Sequence, residues 1–165
     1  MSKYNLIDLD ETDLEILKIL CKDGRKSHRS IADELQKSPV TIKKHVDKLE
    51  EGIIDNYGAT INYDNLGYDI IAFIELTISK GKMLEVEKEI AHYPNIFGVF
   101  DVTGTYDAIL LGRFKTRSEL SEMVKKINSF EFIVRTNTHL ILNVIKNGTD
   151  FTSLIEEENK KAQKQ

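Results

Sequence analysis

Ser38-Pro39-Val40-Thr41-Ile42-Lys43-Lys44-His45-Val46-Asp47-Lys48-Leu49-Glu50 is the stretch whose reading decides the fold. Ser38 can accept a hydrogen bond from an open backbone amide of a helix that begins after it, and Pro39 suits the first turn, where its missing N–H costs nothing. Ile42, Val46 and Leu49 stand at i, i+4 and i+7 and define the inward face. Thr41, Lys44 and Lys48 are therefore expected to face outward together.

Two helices precede this one. Asp10 can cap a helix over 11–22 that Gly24 ends, with Leu14, Leu17 and Cys21 on one stripe. A second helix starts after Ser27 and buries Ile31, Ala32 and Leu35. Beyond Gly52, the residues Ile53, Ile54, Tyr57, Ala59, Ile61 and Tyr63 read as a short extended ribbon with turn-forming Asp55, Asn56 and Gly58. Three short helices and a ribbon make a winged helix-turn-helix over residues 1–62, with 63–69 as the connection to a second domain.

From residue 70 to 148 the hydrophobic spacing alternates between strand and helix periods. Ile70, Ala72, Ile74, Leu76 and Ile78 form one face of a strand, opposite Ile71, Phe73, Glu75 and Thr77. A helix carrying Met83, Val86, Ile90 and Tyr93 follows. Strands over 96–103 and 106–114, separated only by Gly104 and Thr105, are expected to form a tight hairpin. A helix with Leu120, Met123, Val124 and Ile127 and a last strand over about 134–145 complete a ferredoxin-like βαββαβ order, so the chain as a whole is α+β. Apolar residues on both faces of the first and last strands imply a covering partner subunit, the alternative being a long loop or the tail folded over the sheet. Residues 149–165, with Glu156, Glu157, Glu158, Lys160, Lys161 and Lys164, read as a charged tail, either a solvated helix or frayed.

The chain has 165 residues and a net charge of −4, with one Cys and no Trp. That balance argues against coating nucleic acid indiscriminately, but it hides a local reversal. Between residues 22 and 48 the basic side chains Lys22, Arg25, Lys26, Arg29, Lys37, Lys43, Lys44 and Lys48 outnumber Asp23, Asp33, Glu34 and Asp47. No apolar run is long enough to span a membrane and no export signal is apparent, so a cytoplasmic protein is expected. Cys21, amid Ile16, Leu17, Ile19 and Leu20, is expected to be buried. The histidines His28, His45, His92 and His139 show no metal-ligand spacing, and no phosphate loop, nucleophile triad or cofactor motif is present. No metal, no cofactor and no enzymatic activity are expected.

A helix buttressed by its own core, with hydrogen-bonding groups outward and cations alongside, suits the major groove of double-stranded promoter DNA. Thr41 can touch a thymine methyl or a base edge, and Lys44 and Lys48 can reach guanine acceptors or phosphate. Ser38, Lys43 and His45 flank them, and Arg25, Lys26 and Arg29 are candidate backbone contacts. Because Lys lacks the planar fork of Arg, more phosphate contact than base discrimination is expected. A homodimer would place two reading helices roughly 34 Å apart, one turn of DNA.

Leu9-Asp10-x-x-Asp13-x-x-Ile16-Leu17, Asp23-Gly24-Arg25, Ile31-Ala32-x-x-Leu35, Ser38-x-x-Thr41, Leu49-Glu50-x-Gly52-Ile53-Ile54 and Val102-Thr103-Gly104-x-Tyr106-Asp107 resemble the Lrp/AsnC, or feast/famine, transcriptional regulators of bacteria and archaea. The resemblance covers about residues 6 to 147. It implies a dimer built by the sheet domain, dimers assembling into tetramers or octamers, and amino acids or related metabolites bound between dimers. Gly104, Thr105, Tyr106 and Asp107 match the positions that line the effector pocket in the family, with Thr136 and Thr138 contributed from a neighbouring subunit. Read from the residues alone, Gly104 permits the turn and Asp107 stabilises it through local hydrogen bonds. The family has Gly where this chain has Gln36, a substitution costing about 1 kcal/mol if the backbone there is left-handed.

Two rival readings follow from the same plan. Relatives of this two-domain build decarboxylate sirohaem, chemistry that calls for clustered His and Arg, whereas His139 stands alone on the last strand. Alternatively, the helix-turn-helix is a protein-contact surface and the chain a ligand-binding or assembly module.

Overall fold

Reciprocal hydrogen bonds fix the first helix: the Asp13 N–H donates to Asp10 Oδ1 at 2.9 Å, and the Asp10 N–H donates to Asp13 Oδ2 at 3.0 Å. Each carboxylate satisfies an amide that the helix cannot, and both lie at the positive end of its dipole. The helix, α1, runs Glu11–Lys22. Ser27 accepts the Ser30 N–H at 3.1 Å to start α2, His28–Leu35. Ser38 accepts the Thr41 N–H at 3.1 Å to start α3, Pro39–Glu50. These observations come from a computed structural model that describes residues 7–79, 81–146 and 152–162.

The described chain divides into two units, one running to Thr60 and including the C-terminal helix, the other Ile61–Lys146. In the first, Ile16, Leu17, Ile31, Ala32, Ile42, Val46 and Leu49 form the core. The turn between α2 and α3 passes through Gln36 at φ 53° and ψ 41°, a left-handed backbone carried by a residue with a Cβ.

Three expectations for this unit change. Residues 53–63 form no strand ladder; instead the Ile53 and Ile54 N–H groups both donate to Leu49 C=O at 2.8 Å and close the end of α3. A lone two-stranded ribbon has too little apolar area to hold itself. Cys21 is exposed, because the last turn of α1 packs against the core through Ile19 and Leu20 instead. The tail forms a helix, α6, Thr152–Ala162, one of its two expected forms, but it is packed rather than solvated: it lies along α1, adding Ile155 to the core and a Lys18–Glu156 ion pair at 2.9 Å.

In the second unit, β1 (Ile70–Ile78), α4 (Met83–Ile90), β2 (Ile96–Asp101), β3 (Ala108–Phe114), α5 (Arg117–Asn128) and β4 (Ile133–Ile141) follow in the expected order. The sheet is antiparallel in spatial order β2-β3-β1-β4, the ferredoxin-like arrangement. Ala72, Ile74, Leu76 and Ile78 pack with Leu110, Phe114, Val86, Ile90 and Ile127 under the helices. Alternation puts Phe73, Glu75, Ile109, Leu111, Phe100, Asn137 and His139 on the opposite face.

The last strand ends at Ile141, leaving Leu142, Val144 and Ile145 exposed beyond it. Residues 63–69, expected as a linker, are pinned to the sheet. The Arg113 guanidinium donates to Asp64 Oδ1 at 3.1 Å and to Tyr68 C=O at 3.2 Å.

Candidate functional site

Two surfaces carry chemistry, one in each unit. On the first, Val40, Thr41 and Lys44 project from α3 into solvent, opposite the buried Ile42, Val46 and Leu49. Val40 is 79% exposed and offers an apolar contact on this face. Spacing alone marked it, because position 40 lies off the buried stripe, yet it was not among the expected contacts. Ser38 Oγ and Thr41 Oγ1 lie 2.8 Å apart, which orients the threonine hydroxyl.

The cations divide into two groups. Lys44 and Arg29 are exposed and make no ion pair with any described residue. Arg25 is exposed, with its Nε 3.6 Å from Asp23 Oδ1. Lys43 pairs with Asp47 one turn on, at 2.5 Å, and Lys26 pairs with Glu34.

Lys48 and His45 are differently placed from the outward-facing residues expected of them. Lys48 Nζ donates to Asp13 Oδ2 at 2.5 Å, and His45 Nδ1 donates to Asp13 Oδ1 at 2.7 Å. The Asp13 side chain has no exposure to solvent. Burial pushes its carboxyl up, but the hydrogen bonds from Lys48, His45 and the Asp10 amide outweigh this and hold it below the ordinary carboxylate value. The same hydrogen bond raises the Lys48 ammonium above its ordinary value.

Asp10, Asp13 and His45 bring ligand-type atoms within 4.8 Å of one another, a grouping that the separated histidines of the sequence did not reveal. Both Asp13 oxygens are already engaged by donors, and the cation beside them is Lys48. The cluster ties α3 to α1.

The second surface lies at the β2–β3 hairpin. The ladder closes with the Val102 N–H donating to Asp107 C=O at 3.0 Å, so the turn spans 103–106 and is wider than the expected two residues. Gly104 takes φ +131°, where a Cβ would be strained. Asp107 faces β1: its N–H donates to Leu76 C=O at 2.9 Å and its Oδ2 accepts the Ile78 N–H at 2.8 Å. One carboxylate oxygen is therefore structural.

Beside the hairpin lies a cleft of about 730 Å³ lined by Glu75, Asp101, Val102, Thr103, Thr105, Tyr106 and Ile109. Glu75 is braced from the last strand, with Asn137 Nδ2 donating to its Oε2 at 2.8 Å and His139 Nε2 at 3.0 Å. Asn137 also lies 3.4 Å from the Tyr106 hydroxyl. The hydrogen bond from His139 is the main cause holding the Glu75 carboxyl below its ordinary value. Thr136 and Thr138 pair with Leu76 and Ile74, on the helix side of β1 and away from Glu75. Glu75, Asn137 and Asp101 were not singled out in the sequence. No local signal marks them, because strand register alone brings them together.

Comparison with known proteins places this architecture. The profile of the Lrp/AsnC ligand binding domain matches residues 71–151, and that of a winged helix-turn-helix DNA-binding domain matches residues 9–52. An HTH-type transcriptional regulator of Pyrococcus abyssi is 41% identical over 84% of this chain and 95% of its own length. The chain belongs to the Lrp/AsnC family. The HTH-type transcriptional regulator FL11 of Pyrococcus furiosus is a further relative, 35% identical over 86% of this chain and 95% of its own. Among solved structures, a transcriptional regulator of Neisseria meningitidis in complex with L-methionine matches at a TM-score of 0.80 and 25% identity, covering 87% of this chain and 96% of that one. AsnC of Escherichia coli shares the fold of this Lrp/AsnC chain at a TM-score of 0.82 and 23% identity, covering 87% and 98%. The described residues of the family member include no helix long and apolar enough to cross a membrane.

Proposed function

We propose that this Lrp/AsnC chain is a sequence-specific transcriptional regulator that reads promoter DNA with α3 and answers to an amino acid at the hairpin cleft. The observation that carries the DNA reading is the exposed row Val40, Thr41 and Lys44 on a helix whose other side is fully buried. Val40 and the Thr41 methyl can meet thymine methyls, the Thr41 hydroxyl a base edge, and Lys44 a guanine or phosphate. Arg25 and Arg29, on the approach to α2 and at its first turn, supply phosphate contacts. Lys48 and His45 serve by holding α3 against α1, and a rigid helix reads better than a loose one.

The outer sheet face, with Phe97 and Phe100 more than half exposed, supports self-association of two copies, which doubles the phosphate contacts. The cleft supports a ligand of amino acid type, because it combines carboxylates with a hairpin tip that offers amides and hydroxyls. The chain's own promoter DNA, titrated with salt, tests this reading. Affinity should fall steeply between 50 and 200 mM salt, by at least about a hundredfold for several phosphate contacts. Affinity indifferent to salt would instead favour a ligand-binding module whose helix-turn-helix contacts protein.

A further inference from the structure

We propose that the joining of two copies over the outer sheet face is controlled by protonation of His139, whose imidazolium compensates Glu75 when that face is covered. The inference rests on the self-association reading above and adds its regulation. Phe100, Ile109, Glu75 and Asn137 stand in one row across the four strands, on the face opposite the helices. An acid therefore sits within an otherwise apolar row, and a second copy seated on Phe100 and Ile109 also covers it. His139 lies opposite Phe73 in the next row, with the two rings 5.8 Å apart, edge to face. Its Nε2 is 3.0 Å from Glu75 Oε2, and the side chains of His139 and Glu75 retain 54% and 19% of their exposure. Both have water to lose on association.

A carboxylate stripped of water is costly unless a cation goes with it. Glu75 has two further donors, the Asn137 amide at 2.8 Å and the Tyr106 hydroxyl, but both are neutral. The other charged side chains of the strands on this face are Arg135, opposite Thr77, and Arg113, opposite Ile71 and engaged by Asp64. Asp107, at the foot of β3, accepts the Ile78 N–H. His139 is the group that meets Glu75 and can bring it a positive charge.

Imidazole changes its charge between about pH 5 and 8. Covering the face increases what the proton on His139 is worth, so the joined form binds that proton more tightly than the separate chains do. Association is then strongest below the ordinary histidine value of about 6.5 and weakens as pH rises through the raised one. Two-fold symmetry makes each copy contribute one such pair, and the dependence is doubled.

Sedimentation of the fluorescently labelled full chain over a dilution series, at several pH values between about 6 and 8 and constant ionic strength, tests the inference. The dissociation constant of the dimer should rise at least about tenfold across that range, since one pKa unit at each of two imidazoles amounts to as much as about a hundredfold. His139→Gln should flatten the curve at the weak level. Glu75→Gln should flatten it at the tight level, because no carboxylate is left to compensate. Both variants share the general change of net charge with pH, so what they lose is the share of the pair itself. A dimer of the same strength at every pH, or a pH dependence undiminished in either variant, would overturn the inference and leave self-association in place. Monomers at every pH would overturn both.

Discussion

The ammonium of Lys48 lies 2.5 Å from Oδ2 of Asp13, a carboxylate wholly shielded from water. The pair joins the outer helix α3 to the capping box of α1, and His45 completes it. A residue spaced for DNA contact thus acts as a brace. Replacing Asp13 with Ala would leave the Asp10 amide, His45 and Lys48 without their acceptor, and should cost the first domain about 2 kcal/mol or more. Urea unfolding followed by far-ultraviolet circular dichroism would measure it; a change under 0.5 kcal/mol would show that the brace is idle.

Acid should loosen the same brace. The Asp13 carboxyl is held below its ordinary value of 3.8 in the folded chain, so its stabilising effect is complete above that value and is lost as pH falls through the depressed one. The unfolding midpoint should therefore decline more steeply below about pH 4 in the native chain than in Asp13→Asn. Parallel curves for the two proteins would contradict the assignment.

Gln36 takes a left-handed backbone at φ 53°, where any side chain with a Cβ is strained. Gln36→Gly should raise stability by about 1 kcal/mol, seen as a higher thermal midpoint. No gain would mean that the Gln36 side chain makes a compensating contact.

Most of the first unit was legible because its signals are local. Asp10, Ser27 and Ser38 each mark a helix start within three residues of the amide they accept, and Ile42, Val46 and Leu49 set the inner face of α3 by spacing alone. The strand order of the sheet domain was legible for the same reason. What escaped depends on distant partners. Lys48 points outward by helical period, yet its flexible stem turns its head to an acid 35 residues away. Thr136 and Thr138 could be placed on a face only once the register against Leu76 and Ile74 was known. Asp107 is drawn to β1, which no feature of the hairpin sequence announces.

Phe100 lies half exposed on the sheet face opposite the helices, across from Ile109. If a second copy covers this face, Phe100→Glu should convert the dimer to a folded monomer in sedimentation analysis, since a buried unpaired charge is costly. An unchanged mass would show that the copies meet elsewhere or do not meet.

The central claim is that Val40, Thr41 and Lys44 read DNA while Lys48 braces. Its most direct test is fluorescence anisotropy on a fragment selected from the native genome, comparing the native chain, Lys44→Ala and the double variant Val40→Ser/Thr41→Ala against scrambled DNA of the same composition. Lys44→Ala should lower affinity and reduce the salt slope by about one, and the double variant should lose most of the preference for the selected fragment. Full affinity and full preference in both variants would contradict the account.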